Sequence, residues 1–268
     1  MQKCCCVYPT SGPRLALWIF LYFWWIERSL FRLDGGQVGV NMTGGPLQYQ
    51  YQAEQLVLHW GRGEGVAGGS EHSVNQQSWP AELQLYGYNS QLYNNLTQAQ
   101  EEPGGVVGVA VMLQVKGDIP DPDNPTTGLT RLVSRLSQVK YRGDTARIHQ
   151  MSLASLLPNT GDYVTYEGST TYPGCWETVT WIVMNKPVYL SRQEMEMFYQ
   201  LRQGDSPAME KAPLGNNLRP RQSVNNRAVR TNIALKQQSG GDTCSQDLPK
   251  IVYTTSDWIH SIDTNTLV

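Results

Sequence analysis

The side chains able to do chemistry are few and widely spaced. There are four histidines, His59, His72, His149 and His260. Of five cysteines, Cys4, Cys5 and Cys6 are adjacent, while Cys175 and Cys244 stand alone. No Cys-x-x-Cys spacing exists, so a zinc ribbon or thioredoxin-like pair is unsupported. His59 falls in the alternating run Gln55–Trp60, and a lone imidazole there reads as packed and hydrogen-bonded. Two N-x-[ST] sequons, at Asn41 and Asn95, favour passage through the secretory pathway.

The elements that would position these groups are mostly strands. Gln55–Trp60 and Glu82–Tyr88 alternate, as half-buried strands do. Val106–Val115 and Thr178–Met184 are nearly continuous apolar runs, expected for central strands buried on both faces. Leu129, Leu132, Val133 and Leu136 make one apolar helix face. Ser191 and Glu194 form a capping box ahead of Met195, Phe198 and Leu201. A net charge of −2 without a long charge run argues against a nucleic-acid partner. The expected class is mainly β with short helices around a twisted, mostly antiparallel central sheet.

Three regions follow. Residues 1–35 read as a hydrophobic leader or atypical N-terminus, residues 36–233 as one β-rich domain, and residues 234–268 as a polar tail. The leader's apolar run, residues 15–26, is shorter than the ~20 residues of a spanning helix and suits a signal-peptide core. Glu27, Arg28 and Ser29 follow it without a small-residue cleavage site, which leaves a membrane-associated signal-anchor as the alternative.

An ordered series of motifs runs through the domain: Gly44-Gly45-Pro46-Leu47, Gln55 to Gly61, Gly69-Ser70-Glu71-His72 and Ala81 to Leu85. It continues with Tyr166 to Pro173, Glu177 to Trp181, Asn217-Leu218-Arg219-Pro220 and Asn225-Asn226-Arg227. This series resembles the α-carbonic anhydrases, and in flavour the acatalytic carbonic anhydrase-related proteins of the X and XI type. The resemblance implies the α-carbonic anhydrase fold, with a family domain that extends further ahead of Gly44 than residues 1–35 resemble.

It also implies where a zinc site would stand. In the family, two histidines at i and i+2 on one strand and a third on its neighbour hold the metal, and water fills the fourth position. Those positions here are Val57, His59 and Gln84. Zinc lowers the pKa of its water from ~15.7 to ~7, roughly 12 kcal/mol of acidity that a site without metal lacks. The resemblance therefore implies no zinc and no enzyme activity. It assigns Gln55 and Glu82 to the groups behind the ligand histidines, and Glu71 and Thr171 to the pair that orients the zinc-bound hydroxide. Tyr86, Thr170 and Tyr172 replace residues lining the carbon dioxide pocket, and His72 is not a ligand position. Cys175 matches a cysteine whose usual partner lies in the absent N-terminal part, and Cys244 matches a tail cysteine that implies attachment to a partner. The implied function is an extracellular protein-binding module with a neurexin-like partner at the cell surface. The alternatives are a zinc hydratase with an altered ligand set and a truncated product without function.

Overall fold

The computed structural model describes residues 6–7, 15–20, 29–34, 40–63, 68–118, 127–142, 144–204, 207–209 and 214–233. Cys4, Cys5, Cys244, His260 and the tail from residue 234 lie outside the described residues, as do residues 21–26 of the apolar run.

The strands are β1 (Cys6–Val7), β2 (Leu15–Phe20), β3 (Ser29–Asp34), β4 (Asn41–Thr43), β5 (Tyr51–Trp60) and β6 (Ala81–Asn89). They continue with β7 (Val106–Val115), β8 (Thr145–Met151), β9 (Tyr163–Gly168), β10 (Val179–Met184), β11 (Val188–Leu190) and β12 (Arg230–Thr231). Among the described residues they form one sheet, in which nine strands run in the order β12-β9-β10-β7-β6-β5-β3-β2-β8 and β1, β4 and β11 pair off this path. Among the described residues, only β7 with β10 and β7 with β11 pair in parallel. The stretch expected to be a leader core thus supplies Leu15–Phe20 as a strand, hydrogen-bonded between β3 and β8. No helix among the described residues is long and apolar enough to cross a membrane.

The central strands β5, β6, β7 and β10 are buried on both faces. One face carries Leu56, Leu58, Trp60, Leu83 and Leu85, covered by α2 (Thr127–Leu136) and α3 (Arg192–Tyr199). The apolar helix faces expected from sequence make that contact, and the Ser191–Glu194 capping box is present at the start of α3. The opposite face gathers Val57, Tyr86, Ala110, Trp181 and Tyr172.

Which residues face which way depends on one bulge. The β5–β6 register shifts between Ala53, paired with Gly87, and Gln55, paired with Tyr86. Glu54 is the extra residue. Because side chains alternate, one added residue transfers the following positions to the other face. Tyr51 and Ala53 accordingly pack with Leu56, Leu58 and Trp60, while Val57 joins the opposite cluster. The Glu54 carboxylate accepts the Leu96 N–H at 3.0 Å, which ties the bulge to the single helical turn α1 (Leu96–Ala99).

Opposite the bulky residues of β6, β7 carries small ones. Tyr86 pairs with Gly108 and Gln84 with Ala110, and Gly108 also pairs with Trp181 of β10. A Cβ added at Gly108 would lie 2.7 Å from the Trp181 ring, below van der Waals contact. Gly108→Val should therefore lower unfolding stability by about 1–3 kcal/mol through overpacking. Urea unfolding measures this, and an unchanged midpoint would show that Tyr86 and Trp181 are not held against the glycine.

Candidate functional site

The β5–β6 ladder builds the floor of the site. Val57 stands opposite Gln84, His59 opposite Glu82, and Gln55 opposite Tyr86. Both strands are buried here, so each polar side chain needs a protein partner in place of water. Three loops supply those partners: Glu71 and His72 from one, Thr171 and Tyr172 from the second, Asn217 and Arg219 from the third.

His59 Nδ1 lies 2.8 Å from the Asn217 carbonyl oxygen and 3.2 Å from Glu71 Oε1. Both neighbours only accept, so Nδ1 carries the hydrogen. Its Nε2 lies 3.2 Å from Gln84 Oε1 and 3.4 Å from Thr171 Oγ1. The Asn217 side chain fixes the loop to β5: its amide accepts the Trp60 N–H at 3.0 Å and donates to the Leu58 carbonyl at 2.8 Å.

Gln84 is the hub. Its Nε2 donates to Glu82 Oε1 at 2.7 Å, which decides the orientation of the amide. Oε1 then faces the site and accepts from the Tyr86 hydroxyl at 2.8 Å and the Thr171 hydroxyl at 2.9 Å. Tyr86 has no exposed surface, and its ring packs edge-on against Tyr172 and Trp181 at centroid distances of 5.5 Å. Burial above all, with neighbouring Tyr172, pushes the Tyr86 phenol well above its ordinary value, so the hydroxyl stays a donor.

Glu82, which has no exposed surface, anchors a second chain. It accepts from His72 Nδ1 at 2.7 Å and from the His72 N–H at 2.8 Å. His72 Nε2 meets the Tyr166 hydroxyl at 2.8 Å. Burial, the largest influence, pushes the Glu82 carboxyl up. His72, by charge and hydrogen bond, together with the Gln84 bond and the His59 charge, outweighs it and holds the group below its ordinary value.

The structure brings together Val57, His59, Gln84, Glu82, Glu71, Thr171 and Tyr86. Glu82, expected behind a ligand histidine, holds Gln84, which stands at that ligand position, and also His72. Glu71 accepts from His59 and from the Arg219 N–H at 2.9 Å, and the Thr171 hydroxyl donates to Gln84 Oε1 and lies 3.1 Å from the Tyr86 hydroxyl. Gln55 is half-buried, two residues before Val57 on β5 and paired with Tyr86. Thr170 is buried, with its hydroxyl on the Tyr172 carbonyl at 3.3 Å.

The sequence reading gives His72, Tyr166 and Asn217 no function. Only the pairing of a loop histidine with a buried strand carboxylate reveals the first two, although all three lie in motifs of the resemblance. Of the two sequon asparagines, Asn41 is half-buried in β4, whereas Asn95 is exposed as the cap of α1. Cys175 is an exposed free thiol. No group of three or more His, Cys, Asp or Glu placed to hold a metal occurs among the described residues.

Residues 29–233 match the family model for eukaryotic-type carbonic anhydrases. Carbonic anhydrase-like protein 2 of Caenorhabditis elegans is 36% identical over 215 residues, which is 80% of this chain and 61% of that protein. Carbonic anhydrase-like protein 1 of the same organism is 38% identical over 200 residues, 74% of this chain and 52% of that protein. The chain therefore spans between half and two thirds of the length of these relatives.

The Glu82 network carries a pH signature. A carboxyl whose folded pKa is lowered contributes stability above its unfolded value of about 4.3, and loses it as pH falls through the folded value. Glu82→Gln should be less stable than the parent at pH 7, with the gap narrowing as pH drops below about 4. Urea unfolding between neutral and acid pH reads this difference. A gap that stays constant across that range would mean that Glu82 is not ionised in the fold.

Proposed function

The chain belongs to the eukaryotic-type carbonic anhydrase family, and we propose that it is a member without hydratase activity that works as an extracellular protein-binding module. The observation that carries this reading is the set of bonds made by Gln84 Oε1. It faces Tyr86 and Thr171 at 2.8 and 2.9 Å and His59 Nε2 at 3.2 Å. The three positions where the family holds its metal are thus a hydrocarbon, an amide oxygen already engaged by hydroxyl donors, and one imidazole. Catalytic zinc takes three nitrogen, sulfur or carboxylate ligands and leaves a fourth position open to water. This donor set does not fit that requirement. When bound in the family, zinc supplies an acidified water.

The substrate side supports the same reading. A carbon dioxide site needs an open apolar hollow. Tyr86 fills the corresponding volume and presents its hydroxyl to Gln84 and Thr171. What remains is a satisfied buried network on a rigid sheet, suited to presenting a surface. The extracellular assignment rests on the sequons. Asn95 is exposed, and its Oδ1 accepts the Gln98 N–H at 2.8 Å, which leaves the glycan-bearing amide nitrogen outside that bond. The neurexin-like partner at the cell surface follows from resemblance alone.

Stopped-flow carbon dioxide hydration tests the inactive assignment. The purified chain should show no rate above buffer, and Val57→His combined with Gln84→His should bind zinc yet remain slow, because Tyr86 still fills the pocket. A parent rate that zinc raises and a chelator abolishes would contradict the proposal.

A further inference from the structure

We propose that the cleft lined by Arg219, Arg221 and Arg227 is a docking site for a carboxylate-rich segment of a protein partner. The segment 214–233, which carries all three, has four arginines and no acidic residue, in a chain whose net charge is −2. The cleft is also lined by Ser169, Tyr166 and Glu71.

The three guanidinium groups are anchored by neutral oxygens. Arg219 Nη1 donates to Ser169 Oγ at 2.8 Å and the Thr170 carbonyl at 3.4 Å. Arg221 Nη2 donates to Ser78 Oγ. Arg227 donates to the Val224, Ser223 and Glu167 carbonyls at 2.7, 2.6 and 3.5 Å, and its guanidinium carbon lies 5.8 Å from the Tyr166 ring centre. None of the three forms an ion pair with a carboxylate among the described residues.

The acidic groups nearby are otherwise engaged. Glu71 is nearly buried and faces His59 and the Arg219 N–H. The Glu167 carboxylate accepts the Thr180 hydroxyl, and Arg227 meets only its carbonyl. Three like charges are thus held together, oriented in advance, with donors left over on Arg219 and Arg221. A carboxylate matches the forked geometry of guanidinium and relieves the repulsion, and prior orientation lowers the entropy cost of binding. An acidic peptide is favoured over a long polyanion because the positive charge is confined to one short cleft and does not form a stripe.

This inference gives the proposed binding role a partner chemistry and rests on that role. Its test ignores zinc and hydration, so the two can fail separately. Fluorescence anisotropy of a labelled hexaglutamate peptide would be read on the full chain. The peptide should bind, more weakly as salt rises. Exposed Arg221→Glu should weaken binding about tenfold or more, and Arg221→Gln by less. Arg135→Glu, the same charge change on α2 across the sheet, should leave binding nearly unchanged. Circular dichroism confirms that each variant is folded. Three outcomes overturn the proposal: no binding by the parent, equal loss in the Arg221 and Arg135 variants, or binding of a heparin hexasaccharide in place of hexaglutamate.

Discussion

A carboxylate in the middle of a sheet buried on both faces is the constraint on which the rest of the site depends. Glu82 has no exposed surface, and an ionised group there is tolerated only if its oxygens are fully engaged. Three hydrogen bonds meet that demand, two from His72 and one from Gln84. The first pins a loop to the sheet, and Tyr166 extends it to β9. The second turns the Gln84 amide so that its oxygen enters the site, where Tyr86, Thr171 and His59 meet it. The arrangement of the candidate site thus follows from keeping one buried charge satisfied.

The same strands explain why the site is closed. Position 86 could hold a tyrosine only because β7 offers Gly108 beside it, with Trp181 on the far side. The hydroxyl then needs a partner, and the engaged amide of Gln84 and the Thr171 hydroxyl provide one. Val57 contributes bulk to the same cluster and no donor. Beside Val57, the positions where the family holds its metal thus carry side chains engaged with one another and with Tyr86 and Thr171.

Much of this was legible in the sequence because strands and helices repeat. Period-two alternation places Val57 and His59 on one face, and the motif order places Gln84 beside them; the ladder pairs Val57 with Gln84 directly. The runs Val106–Val115 and Thr178–Met184, the apolar face of α2 and the capping box of α3 follow from local pattern alone. What escaped has no period. The Glu54 bulge depends on where two strands fall out of step. His72 reaches Glu82 from a loop ten residues away, and Asn217 reaches His59 across 158 residues. The run Leu15–Phe20 is a strand, and its apolar composition alone does not choose between a strand and a leader core.

The central claim is that hydrogen bonds among the chain's own residues, without a metal ion, hold the site together. The most direct measurement is thermal or urea unfolding of the intact chain in excess zinc and in excess chelator. A ligand that binds only the folded state raises stability in proportion to the logarithm of its concentration. The account predicts the same midpoint in both conditions, at every zinc concentration up to the micromolar range. A midpoint that climbs steadily with zinc and falls back on chelation would contradict it.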